Sequence, residues 1–263
     1  MKYQNKLIKC ILKDGYSIKK NFLSSKQVKF YLDKVKDNYS NQKIGFKGLP
    51  QRDKKDKIIY NLQNKDVKFV KLLSSPDIVE VCKHFLQDKY FRLLSKARPN
   101  FILNYYNARS SGSKLDLHID SHIPYLGNHV YMLQVAIILE DQNEENGCTI
   151  LKPKSHLSGK YTNRKDRNLK KIISKAGDLV IWDSRTWHGT TENISNNSRW
   201  SLIATFSCWW LKQSMDMVKS LPKNIFKELS INEKILLGYC STIPINENDL
   251  VRTKRKISEI KFI

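Results

Sequence analysis

Between Phe101 and Trp210 the chain carries six short runs rich in β-branched and aromatic residues, at 101–106, 115–119, 130–139, 149–151, 179–182 and 201–210. Polar and glycine clusters, SSGS at 110–113 and EENG at 144–147, separate them. Strands of this length, broken by turn residues at such intervals, close into a sandwich or a barrel. The flanks read differently. Upstream, Ser24 or Ser25 can cap a helix whose apolar positions Val28, Tyr31, Leu32 and Val35 recur at helical spacing. A second amphipathic run covers 67–86, with Pro76 opening a new helix inside it. Helical spacing returns at 223–229 and 232–237, and the tail VRTKRKISEIKFI reads as flexible. The expected organisation is one domain over 1–263: a helical part to about residue 97, a β core over 98–212, and a helical extension over 213–263.

The 263 residues include no apolar run of the roughly 18 residues that a membrane span needs, and MKYQNKLIKCILKDGY lacks the features of a signal peptide. A soluble, cytoplasmic protein is expected. Five cysteines without any CxxC pair argue against a disulfide framework and a zinc ribbon, and they suit a reducing compartment. The net charge of +22 is a potential polyanion footprint, but it is spread along the chain and is mostly lysine, without a base-reading motif. Nucleic acid is therefore the less favoured partner, and an anionic small molecule suits the charge. The sequence leaves oligomeric state open.

Two clusters carry chemistry. In LDLHID at 115–120, His118 and Asp120 are two apart in a predicted strand, so their side chains leave the same face and can meet one ion. Alone, the triplet reads more readily as a hydrogen-bonded core histidine beside an acid. The second cluster, at 176–210, has a turn at Gly177, the buried strand LVIW, His188, and Arg199 eleven residues further on. Two histidines and one carboxylate form the facial triad of non-haem iron oxygenases, with open positions left for a chelating cosubstrate and dioxygen. Arg199, beside Trp200 in an apolar run, needs a carboxylate partner. The far carboxylate of 2-oxoglutarate would supply it, as would an acid of the chain itself.

The order HID, then EENGCTILKPKSH at 144–156, then GDLVIWDSRTWHGTTEN and Arg199, resembles the phytanoyl-CoA dioxygenase family of Fe(II)/2-oxoglutarate-dependent oxygenases. That family usually has a PGSH-like motif in the middle segment; here Pro153, Lys154, Ser155 and His156 stand, with lysine in place of glycine. LKDGYSIKKNFLS at 12–24 is similar to the family's N-terminal strand and helix entry, and LSINEKILLGYCSTIP at 229–244 to a C-terminal segment of bacterial members. The resemblance implies a mainly β fold with flanking helices, a double-stranded β-helix or jelly-roll barrel of cupin type with the metal at its open end. It implies Fe(II) on His118, Asp120 and His188, 2-oxoglutarate on Arg199 with help from Thr190 and Asn104, O2 as oxidant and ascorbate as a stimulant. A carboxylate at Asp120 implies hydroxylation rather than halogenation, with release of succinate and carbon dioxide. The alternatives are an oxygenase acting on nucleic acid or protein, and a non-catalytic metal-binding barrel.

Other residues are assigned more modest parts. His122, His129 and His156 read as polar surface or as support for the metal ligands, and His84 as structural. Tyr131, Trp182, Trp200, Trp209 and Trp210 read as barrel core, and Trp187 as a pocket wall. The segment 152–171, with Asp166 as its one acid, reads either as a lid contacting an anionic substrate or as a solvated charge run.

Overall fold

The computed structural model describes residues 2–41, 56–90, 94–162, 166, 168–244, 246–248, 260 and 262. Most of the tail predicted to be flexible lies outside the described residues. In chain order the elements are α1 (Lys2–Asp14), β1 (Tyr16–Lys19), α2 (Ser25–Asn41), β2 (Lys57–Tyr60), α3 (Val67–Leu73), α4 (Pro76–Leu86), β3 (Phe101–Ser110), β4 (Leu115–His118), β5 (Met132–Ile138), β6 (Thr149–Leu151), β7 (Lys170–Ile172), β8 (Leu179–Asp183), β9 (His188–Thr190), β10 (Ser201–Cys208), α5 (Met217–Ser220), α6 (Lys223–Glu228) and α7 (Ile231–Leu236). The chain forms two compact units, Met1–Tyr60 with Asn107–Ala204, and Asn61–Tyr106 with Thr205–Ile263.

Six strands form one sheet in the order β1-β8-β5-β10-β3-β2, and four form a second in the order β4-β9-β6-β7. This is the double-stranded β-helix expected. Ala136, Ile138, Val180 and Trp182 from the larger sheet pack with Leu151 and Ile172 from the smaller one, which is the cross-sheet core that makes a jelly roll cohere. β8 is buried along its whole length, which explains its unbroken apolar sequence. The smaller sheet has strands of three or four residues, too short to show alternation.

The helix α1 lies in the part expected to be helical, although spacing alone does not mark its span. Its apolar stripe is only Leu7, Ile8 and Ile11, all buried, in a lysine-rich run. Gly15 ends it in the left-handed region at φ 86°, with its N–H on the Ile11 carbonyl, which is a glycine C-cap. Chain then turns into β1, which pairs with β8. At the far end of that pairing Asp178, 1% exposed on its side chain, accepts hydrogen bonds from Lys20 Nζ, the Asn21 N–H and the Lys175 N–H.

Within the second unit, Asp66 caps α3 through the Lys68 N–H, and Ser230 and Glu233 form a reciprocal capping box on α7. Its core includes Phe69 against Tyr106 and Phe101 against Phe206, both edge-on. Two aromatic residues assigned to the core lie elsewhere: Tyr131 is 36% and Trp210 52% exposed.

The segment 152–171 is an ordered crossing between β6 and β7 at its described positions. It opens with a single 3-10 turn, Ser155–Leu157, preceded by Lys154 at φ 64°. The left-handed region favours glycine, which explains the glycine usual at this position in the family's motif, and lysine carries the steric penalty. Replacing Lys154 with glycine is expected to raise stability by about 1 kcal/mol, read from the urea midpoint. An unchanged or lower midpoint would show that the lysine side chain contributes more than the strain costs.

Candidate metal centre

β4 and β9 are antiparallel neighbours, and His118 lies directly opposite His188 in their register. The ring centroids are 4.2 Å apart. The pairing is possible because Gly189 has no side chain: a Cβ there would lie 2.3 Å from the Leu115 carbonyl oxygen. Asp120 follows β4, and its N–H donates to the Ser184 carbonyl at 2.9 Å, which holds the acid against the β8–β9 turn. The carboxylate then lies between the imidazoles, with Oδ1 3.7 Å from His118 Nε2 and Oδ2 3.2 Å from His188 Nε2. All three residues offer ligand atoms within 4.8 Å of one another, the single such group among the described residues.

Both imidazoles are held in the same way. His118 Nδ1 is 2.9 Å from the Asp116 carbonyl and His188 Nδ1 is 3.0 Å from the Thr186 carbonyl. A carbonyl accepts only, so each Nδ1 is the donor of its bond, and each Nε2, on the Asp120 side, is the ring atom left for a metal. That is the tautomer a metal ligand needs. Burial pushes the His188 pKa below its ordinary value, against the opposing pull of Asp120, so the ring is neutral at neutral pH. Trp182 packs edge-on against His188, with centroids 5.2 Å apart.

The turn carrying His188 is fastened from several sides. Trp187 N–H donates to Ser155 Oγ, Thr186 Oγ1 donates to the Gly15 carbonyl, and His156 Nε2 is 3.2 Å from the Leu12 carbonyl. Ser155 and His156 thus anchor the ligand-bearing turn and the end of α1. His122 and His129 are exposed, and neither joins the triad. Trp187 does not line the metal site. It is 7% exposed and packs with Leu117, Ile119 and Ile150, and Leu117 and Ile119 alternate in the chain with His118 and Asp120, which places this cluster on the opposite face. Its indole N–H donates to the Lys160 carbonyl. The acid in the 152–171 segment, Asp166, pairs with Lys152, which also reaches Thr162.

Arg199 is 4% exposed. Its backbone N–H donates to Ser110 Oγ at 2.9 Å and its Nε to the Ser111 carbonyl at 3.1 Å. No acid pairs with it among the described residues, and its two terminal amino groups have no protein partner there, so the structural ion-pair reading of this residue is not what the structure shows. Burial, then the charge of Arg109, bring its pKa down to about 10. It stays cationic at neutral pH. Gly147, at φ 90°, lies close enough that a Cβ would come within 3.0 Å of the Arg199 Nε. Thr190 closes β9, and its hydroxyl oxygen accepts from the Leu115 N–H, which leaves its O–H to donate.

Asn104 belongs to the other unit. Its amide donates to Ser207 Oγ and the Lys212 carbonyl and accepts from the N–H and hydroxyl of Ser214, so no hydrogen-bonding capacity remains for a cosubstrate. The cosubstrate role expected for it has no support in this geometry. Three residues on, Asn107 has a buried side-chain oxygen without a protein partner among the described residues. The sequence contains both amides on one strand, and only the register tells them apart.

The phytanoyl-CoA dioxygenase family model matches residues 11–201. This chain belongs to that family. Among curated relatives, an uncharacterised protein of Mycobacterium tuberculosis is 22% identical over 69% of the chain and 66% of its own length. Dioxygenase af480 of Aspergillus fumigatus is 26% identical over 75% of the chain and 63% of its own length. The matches thus span somewhat less than two thirds of these relatives. Among solved structures, the non-heme alpha ketoglutarate dependent epimerase SnoN from nogalamycin biosynthesis is 17% identical, with a TM-score of 0.62 over 84% of this chain and 91% of that one. HygX from Streptomyces hygroscopicus, with nickel and 2-oxoglutarate bound, is 13% identical, with a TM-score of 0.63 over 79% of this chain and 88% of that one. At such identities the likeness establishes the fold.

Two outcomes follow from the geometry. Gly189→Ala is expected to weaken metal binding by about tenfold or more while leaving most of the far-UV circular dichroism, because the added methyl forces β4 away from β9. Metal affinity equal to wild type would show that the strands tolerate the separation. The metal-free protein is also expected to lose stability as the pH falls below 6.5. Burial lowers the pKa of both His156 and His188 in the fold, so below the ordinary imidazole value of about 6.5 the unfolded chain binds protons that the folded chain refuses. A melting temperature flat through that window would contradict it.

Proposed function

We propose that this chain is an Fe(II)- and 2-oxoglutarate-dependent dioxygenase that hydroxylates a small molecule. The observation that carries the reading is the pairing of two features within one unit: three converging ligand atoms with both Nδ1 atoms tied to carbonyls, and a buried arginine lacking a protein counter-ion among the described residues. The family to which the chain belongs supports it. The reading takes the whole chain as one oxygenase domain, and the family match, running from 11 to 201, passes through residues of both units.

A ferrous ion on His118, Asp120 and His188 would supply oxidative decarboxylation: 2-oxoglutarate and dioxygen become succinate and carbon dioxide while a substrate C–H becomes C–OH. The protein's own part is geometric. The Asp116 and Thr186 carbonyls hold both Nδ1 protons, so the Nε2 atoms keep one direction and the ligand set needs no rearrangement. Arg199 would bind the distal carboxylate of the cosubstrate, and the Thr190 O–H, whose oxygen accepts from the Leu115 N–H, would donate to it. Three protein ligands leave the remaining metal positions to cosubstrate and oxygen. His118 and Asp120 are more exposed than His188, which makes their side the entry for substrate. Exposed Lys154, Lys160 and Lys170 on the 152–171 segment favour an anionic one.

With Fe(II), 2-oxoglutarate and ascorbate, the purified protein is expected to form succinate. Asp120→Ala should lower that rate by about 100-fold or more, and Arg199→Gln should chiefly raise the 2-oxoglutarate KM. If wild type neither forms succinate nor binds 2-oxoglutarate in a metal-dependent way, the assignment fails.

A further inference from the structure

The chain between the metal ligand Asp120 and β5 is a closed loop whose two ends meet at one residue. The Ser121 N–H donates to the Ser184 carbonyl at 3.3 Å, and the Ser184 N–H donates to the Met132 carbonyl at 3.2 Å. Residues 121–131 thus leave and return at the same point of the β8–β9 turn, as an Ω-loop does, and such a loop takes its shape from the side chains packed within and beneath it. Beneath this one is Arg185. Its Nη1 donates to the Gly127 carbonyl at 2.8 Å, and its guanidinium lies 4.7 Å from the centre of the Tyr125 ring. The guanidinium is itself fixed by the buried Asp183 carboxylate, with Nη2 2.6 Å from Oδ2 and Nε 3.0 Å from Oδ1. Tyr125 carries this order outward. Its hydroxyl oxygen accepts from the Tyr131 N–H at 3.1 Å, and the Tyr131 ring stacks on it with centroids 4.6 Å apart and 21° between the planes. The loop presents apolar surface to solvent, with Ile123 62% and Leu126 71% exposed beside the exposed Tyr131. Leu126 lies against Gly159, where a Cβ would come 2.6 Å from its Cγ, so the loop abuts the lysine-bearing 152–171 segment.

We propose that loop 121–131 is the substrate-recognition element of this oxygenase, that it takes a substrate bearing a flat apolar ring against Tyr131, Ile123 and Leu126, and that Arg185 is the positioning residue that holds it ready. The inference rests on the oxygenase reading given above and deepens it by naming a substrate class. An aromatic side chain already stacked and hydrogen-bonded loses little freedom when a ligand arrives, so its apolar face is available at low entropic cost. A flat ring gains from that face in a way that a flexible chain does not, because stacking needs a second plane. The loop starts one residue after Asp120, which puts whatever it binds beside the metal ligands.

The test loads the protein with Mn(II) and N-oxalylglycine and titrates it by calorimetry with two sulfonates of equal charge, naphthalene-2-sulfonate and octane-1-sulfonate, so that the lysines of the 152–171 segment act on both alike. The ring probe is expected to bind about tenfold more tightly than the chain probe. Tyr131→Ala should remove that preference by weakening the ring probe alone, and Tyr131→Trp should keep it. Arg185→Gln should also remove the preference and raise hydrogen exchange across residues 121–131, with Mn(II) affinity within about threefold of wild type. Should Arg185→Gln not fold, because it leaves the buried Asp183 unpaired, Tyr125→Leu breaks the same link and keeps the ion pair. Equal affinity for the two probes in the wild-type protein, or binding of neither, overturns the proposal. So does a ring preference that survives Tyr131→Ala, or one that survives Arg185→Gln or Tyr125→Leu in a folded variant. Failure of the wild-type protein to bind N-oxalylglycine with Mn(II) would instead remove the oxygenase reading itself, and the loop's role with it.

Discussion

The direct pairing of His118 with His188 across β4 and β9 is the constraint on which the site depends. Two imidazoles opposite each other in an antiparallel ladder are fixed to within the tolerance of backbone hydrogen bonds, a tighter specification than two loops could give. Everything nearby serves that register. Gly189 lets the strands close, the Ser184 carbonyl draws Asp120 into the gap, and the carbonyls of Asp116 and Thr186 orient the rings. Because these are main-chain groups, the orientation of the ligands is written into the fold, with few side chains to lose.

The arginine end of the site follows a different logic. Arg199 is held by Ser110 and Ser111, and its charge is left without a protein acid among the described residues. A buried cation of this kind is destabilising by itself, and the fold tolerates it because the rest of the cross-sheet core, from Ala136 and Ile138 to Leu151 and Trp182, is apolar and well covered. Strain at a binding position is thus balanced by packing elsewhere in the same unit.

Much of this was legible in the residues. The period of two in a strand placed His118 and Asp120 on one side, and the helical runs at α2, α3, α4, α6 and α7 fall where spacing puts them. The meeting of His188 with His118 was not readable from periodicity, because β9 has three residues and one is glycine. Resemblance supplied it. α1 lies in the part read as helical, but three apolar residues in a lysine-rich run give too little signal to mark its span. Trp187 was assigned to the pocket by its neighbour in sequence, yet adjacent residues in a strand-like segment face opposite ways. Asn104 and Asn107 differ only by register, and one is fully hydrogen-bonded whereas the other has a buried oxygen unpartnered among the described residues.

The link between the start of the chain and the turn bearing His188 has a consequence of its own. Leu12 and Gly15 present carbonyls to His156 and Thr186, and the Thr186 carbonyl in turn holds the His188 ring. Gly15, more than 170 positions away in sequence, therefore stands two hydrogen bonds from the His188 ring. A substitution that moves the Gly15 carbonyl would be felt at the His188 ring as well as at the end of α1.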